Sequence, residues 1–277
     1  MSALSATRRV PRRLRAPALR SVLSGVGGVL VMLGIWQALS AAGTLPADSF
    51  PSVWSVVKAV VSDLGTASGW HAIGSTMAGW ASGFAIGAAA ALLAGMGIGL
   101  SAFAFRSTIL VIEFMKTIPV IAILPLVMLE FGGTLKMEYT IVAFGVFWPL
   151  VIQVVYGVRA MDPVVRDTAE ALRVTGLRRF GLVVLPSAAP FIATGLRIAA
   201  GVALILTIIA ELIGGASGLG RDMLVAEDSG ASALPHLYAL IAITGLLGIA
   251  ISVAFRAAER RLLRWHERFR PAEGAGA

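Results

Sequence analysis

Few residues in this 277-residue chain have the type and spacing to do chemistry. One local pattern needs weighing as an enzyme signal, Gly215-Ala216-Ser217-Gly218, with Ser217 in a turn at the end of a span and His236 the nearest downstream histidine, at the start of the next. His71, His236 and His266 lie on different segments with no metal-ligand spacing, and there is no cysteine to supply a thiolate. A phosphate-binding loop needs Lys directly after Gly, whereas Lys58, Lys116 and Lys136 follow Val, Met and Leu. No metal or cofactor is therefore expected in the chain, and any ATP-driven work falls to a partner. What remains are ionisable groups inside apolar runs: Glu113 with Lys116 three residues on, Arg197, and Glu211. Glu113 and Lys116 share a helical face and read either as an interfacial ion pair or as a gate. Arg197 reads either as a side chain snorkelling to the headgroups or as part of a path.

The elements that position these residues are membrane spans. Mean hydropathy is +0.86 and only 14% of residues are charged, which excludes an ordinary soluble domain. Crossing about 30 Å of hydrocarbon takes about 20 apolar residues. Six runs qualify, at roughly 21–42, 72–101, 107–130, 138–159, 188–214 and 236–256. The net charge of +8 reflects arginine blocks that flank these runs, so it orients the chain in a membrane and gives no nucleic-acid surface. Arg8, Arg9, Arg12, Arg13, Arg15 and Arg20, then Arg106, the arginines of 159–187 and those after 255 share one side; Lys58, Lys136 and Arg221 take the other. Both termini are expected in the cytoplasm, with the protein multi-pass in the inner membrane. The first 42 residues also mimic a secretory signal, but the apolar run has span length, so retention as a membrane helix is the preferred reading.

The chain divides into a basic tail (1–20), a first span (21–42), an outer loop (43–70), a five-helix core (71–256) whose longest polar interruption is 160–187, and a second basic tail (257–277). In the outer loop Val53, Val56, Val57, Val60, Val61 and Leu64 recur at helical spacing, as in an amphipathic helix on the membrane surface. Gly79, Gly83, Gly87, Ala91, Gly95 and Gly99 recur every four residues, a row that lets a second helix approach closely. Pro119 and Pro125 each remove a backbone donor, so the third span should bend or unwind against protein or a water-lined path. In 160–187, Asp162-Pro163 is an N-cap followed by Pro at the first helical position, and Val164, Val165, Thr168, Ala169 and Leu172 follow at helical steps.

Several stretches, in this order, resemble the permease subunits of type I ABC importers, particularly the nitrate, taurine and alkanesulfonate group. They are 118–126 (IPVIAILPL), 157–163 (GVRAMDP), 184–186 (VLP), 194–197 (TGLR), 210–214 (AELIG) and 217–220 (SGLG), and the resemblance spans about 71–265. It implies an all-α, MetI-like integral membrane fold of about six spans, with a cytoplasmic coupling helix between spans 4 and 5 that docks on an ATPase subunit. The family's E-A-A-x-x-x-G motif fits here in two registers. Glu170-Ala171-Leu172 with Gly176 fits the letters; Asp167-Thr168-Ala169 with Arg173 needs no gap between Asp162-Pro163 and Leu185-Pro186, and is preferred. The coupling residues implied are thus Arg166, Asp167, Thr168, Ala169, Glu170, Ala171, Arg173 and Gly176, and the path candidates are Lys116, Pro119, Pro125, Arg197 and Glu211.

The resemblance further implies a non-catalytic subunit of a binding-protein-dependent importer for a small solute such as a sulfonate, nitrate or carboxylate anion. Its partners would be an ATPase dimer that binds ATP and Mg, a second permease copy, an extracytoplasmic solute-binding protein and the lipid bilayer. Two rivals come from other classes. A secondary transporter would carry paired broken helices, of which only the third span is evident. The Ser217 pattern resembles that of rhomboid intramembrane proteases, which would require a serine–histidine pair between helices.

Overall fold

In a computed structural model, backbone is described for residues 17–46 and 48–263, and side chains from residue 23 on. His266 and the arginines of both tails outside these limits, Arg264, Arg268 and Arg270 among them, lie outside the described residues. The described chain is helical: α1 (Pro17–Ala41), α2 (Val53–Leu64), α3 (Ala67–Leu100), α4 (Ala102–Met115), α5 (Leu124–Phe131), α6 (Leu135–Arg159), α7 (Pro163–Ala171), α8 (Gly176–Arg179), α9 (Leu185–Gly214), α10 (Leu219–Asp228) and α11 (Leu234–Leu262). Five helical stretches are long and apolar enough to cross a membrane: 23–41, 67–100, 135–159, 176–214 and 231–262. A sixth span results if α4 and the 120–131 segment count as one.

The core is the seam between α3 and α6. Gly79, Gly83, Gly87, Ala91, Gly95 and Gly99 are all buried. The facing row on α6 is Val142, Val146, Val154 and Val158, set at multiples of the same four-residue step. A Cβ added at Gly83, Gly95 or Gly99 would lie 2.5 to 2.7 Å from the Cβ of Val142, Val154 or Val158, far inside van der Waals contact. The two four-residue rows interlock, and dispersion between closely apposed backbones replaces the hydrophobic drive that lipid removes. Helix α9 packs on both α6 and α3, and α11 closes the bundle against α9, α2 and α10. Trp80 Nε1 ties α3 to α9 by donating to the Ala200 carbonyl at 3.0 Å.

The expected third span is broken. Helix α4 ends at Lys116, Pro119 is extended (φ −63°, ψ 113°), and the chain resumes through a 3₁₀ turn into α5 at an angle of 81°. The fifth span differs from expectation: it begins at Gly176 rather than near 188. Its arginine-bearing first turn runs through a π-helical turn at Phe180–Val184 into α9. Such a turn re-registers the ladder where Pro186 and Pro190 take donors away, so these prolines lie inside the helix instead of starting it. Between α1 and α3 lies α2, capped by Ser52, whose hydroxyl accepts the Ser55 N–H at 3.1 Å. It buries Val56 and leaves Val57 and Val61 exposed.

Candidate functional site: a capped loop helix and a buried acidic knot

Helix α7 hangs between α6 and the α8–α9 span. Asp162 caps it, its carboxylate accepting the Val164 N–H at 2.8 Å, and Pro163 occupies the first turn. Thr168 Oγ1 donates back to the Val164 carbonyl at 2.7 Å. Ala169 alone is buried. Val164, Val165 and Leu172 are 70%, 45% and 71% exposed, an apolar surface on an otherwise polar helix. Arg166 Nε lies 3.4 Å from Asp167 Oδ1 on the open surface, where such pairs contribute little. Glu170 and Ala171 are exposed in the last turn.

The way α7 ends bears on its register. Arg173 has φ +52°, its N–H bonds the Glu170 carbonyl, and the Val174 N–H bonds the Ala169 carbonyl. This is a Schellman cap with arginine at the left-handed position that glycine usually fills. Gly176, φ +58°, sits three residues later at the start of α8 and does not close α7. The segment after Asp162 thus holds two helices, α7 and α8, separated by a cap.

At the opposite end of α6 and α9 is a knot that the sequence only half revealed. Glu138 and Glu211 are 1% and 0% exposed, with Thr76 and Thr207 fully buried. Glu211 Oε2 accepts the Gly220 N–H at 2.8 Å, and Thr76 Oγ1 accepts the Leu219 N–H at 2.9 Å. Together they satisfy the first free amides of α10, where a carboxylate also meets the positive end of the helix dipole. Glycines make the room: a Cβ at Gly79 would strike the Glu138 carboxylate, and one at Gly218 (φ +159°) the Glu211 carboxylate. Glu138 was not singled out from sequence. Beside the knot, His236 Nδ1 is 3.0 Å from Asp63 Oδ2, joining α11 to α2. Burial pushes the Asp222 carboxyl above its usual range, against the opposing pull of His236 and Arg221.

The path candidates do not converge on one site. Lys116 pairs with Glu113 at the broken end of α4, and Tyr156 donates to the same carboxylate at 3.3 Å. Arg197 pairs with Glu259 of α11 at 3.1 Å. Pro119 and Pro125 shape the bend, and Glu211 belongs to the knot. Ser217 is exposed, and His236 is turned to Asp63; among the described residues no hydrogen bond joins Ser217 to a histidine. The protease arrangement is thus not favoured.

Relatives agree with this architecture. The nitrate import permease protein NrtB of Leptolyngbya laminosa is 27% identical over 228 residues, spanning 80% of this chain and 81% of its own. The taurine transport system permease protein TauC of Escherichia coli is 27% identical over 267 residues, spanning 92% and 94%. The fold is similar to a chain of the MetNI methionine ABC transporter solved in inward-facing conformations, with a TM-score of 0.56 at 18% identity over 77% of this chain and 98% of that one. Residues 83–264 match the family described as "Binding-protein-dependent transport system inner membrane component". That match spans well over half of the chain, which therefore belongs to the binding-protein-dependent transport system inner membrane components, non-catalytic permease subunits of ABC importers in which a separate ATPase hydrolyses ATP.

Proposed function

We propose that this permease carries a small anion of the sulfonate, taurine or nitrate type, and that α7 is its contact with the ATPase. The observation that carries the second statement is the surface of α7: a firmly capped helix that buries only Ala169 and leaves Val164, Val165 and Leu172 to the solvent beside Arg166, Asp167 and Glu170. An apolar patch rimmed by charge is what a docking surface needs. The Schellman cap at Arg173 supports the register in which Asp167, Thr168 and Ala169 stand at the family motif, with Ala171 and Gly176 framing the contact.

Two copies of the chain enclose the path, and both termini face the ATPase side. The ATPase binds ATP and Mg, and its closure draws the α7 helices together, rocking the packed spans between inward and outward opening. The solute-binding protein docks at the opposite end, on the 43–71 and 214–235 segments. The substrate class rests on the names of the relatives, taurine and nitrate. Domain limits of 1–20, 21–42, 43–70, 71–256 and 257–277 fit this scheme.

The test is co-purification of the ATPase with the Asp167→Arg/Glu170→Arg variant. Two exposed charge reversals should change the stability of the permease by no more than about 0.5 kcal/mol, while ATPase recovery falls at least tenfold. Undiminished recovery would remove α7 as the docking element.

A further inference from the structure

A cavity of about 410 Å³ opens where the ends of three spans meet α7. Arg159 from the last turn of α6, Arg166 from α7 and Arg179 from α8 line it together with Leu100, Met161 and Phe180. Among the described residues the only carboxylate within ion-pair reach of these arginines is Asp167, 3.4 Å from Arg166 on the open surface. Arg159 is already held in place, its guanidinium 4.1 Å above the Phe105 ring. Three cations with one weak counter-ion converge on a space of ligand size at the level where spanning helices leave the apolar layer.

We infer that this cavity binds the phosphate of an anionic phospholipid headgroup. The cations call for a phosphate, which Arg recognises through its planar fork. The apolar part of the wall separates a lipid from a free anion. Phosphate alone would leave that wall in water, whereas a lipid covers it and continues over Leu100 and Phe103, which are 55% and 82% exposed at the α3–α4 corner. Basic pockets between helix ends on the arginine-rich side are where anionic headgroups bind. The bound phosphate bridges three elements and so tethers α7 to the bundle.

The test is native mass spectrometry of the full-length permease, without ATPase, titrated with phosphatidylglycerol and in parallel with phosphatidylcholine. The wild type should retain one phosphatidylglycerol and no phosphatidylcholine. Arg159→Gln/Arg179→Gln should bind it about 25-fold more weakly, at about fivefold per arginine. The charge-matched Arg260→Gln/Arg261→Gln variant should bind as the wild type does, and Arg159→Lys/Arg179→Lys should recover most of the binding. Equal weakening in both glutamine variants would mean a diffuse surface charge and overturn the site. Displacement of the lipid by millimolar inorganic phosphate would replace the lipid with a free anion, and an unchanged Arg159→Gln/Arg179→Gln variant would leave the cavity without a role.

Discussion

At one end of the bundle Glu138 and Glu211 are sealed between α3, α6, α9 and α10, with glycines cut to their shape. At the other end Asp167 and Glu170 ride on nine residues of helix that bury a single alanine. Both places hold acidic residues beside apolar spans, but they are built for different work. In the knot, the Glu211 carboxylate replaces water for the Gly220 amide in the first turn of α10, so removing it strands a buried donor. On α7 the charges keep their water, so they can be exchanged for a partner at small cost. The difference suggests where motion is allowed: the knot fixes the turn from α9 into α10, while α7 is held by its two capped ends and little more than the buried Ala169.

That contrast can be broken from the knot side first. Gly79→Leu forces a side chain onto the Glu138 carboxylate and into the α3–α6 seam, and should cost about 3 kcal/mol or more, seen as a large fall in melting temperature or as lost expression. Glu211→Ala leaves the Gly220 N–H without its acceptor and should cost about 1–3 kcal/mol, with Glu211→Gln recovering much of it because an amide oxygen still accepts. The α7 side is sharpened by a change in the opposite direction. Arg173→Gly relieves a left-handed arginine and should stabilise the helix end by about 1 kcal/mol, read as a small rise in the melting temperature of the purified permease. A fall would mean that the arginine side chain holds the cap by some contact of its own.

Much of this was legible in the sequence, and the exceptions have a common cause. The spans, the four-residue glycine row, the proline break and the Asp162-Pro163 start of α7 are local patterns whose physics acts within one helix. Glu138 follows Lys136 in what reads as the polar entry to a span, and only the absence of a side chain at Gly79, 59 positions away, turns it inward. Arg197 leaves its partner open in sequence because Glu259 comes from α11, and His236 likewise because Asp63 comes from α2. The start of the fifth span at Gly176 was hidden by its arginines, which look like loop until the π turn carries them into the helix. The arginine at the close of α7 gives no sign in the sequence of the left-handed backbone that it adopts, because that shape is set by the helix cap and not by the residue type.

Whether α7 meets the ATPase can be measured directly, because the sequence has no cysteine. A single cysteine placed at Val165 on α7, or at Ser217 beside the knot, is the only thiol the permease can present to a short thiol-reactive cross-linker in the assembled transporter. The Val165→Cys chain should cross-link to the ATPase, with a yield that changes on adding ATP and Mg, and the Ser217→Cys chain should not. Cross-linking through residue 217, or none through residue 165 when neighbouring α7 positions are also negative, would contradict that contact.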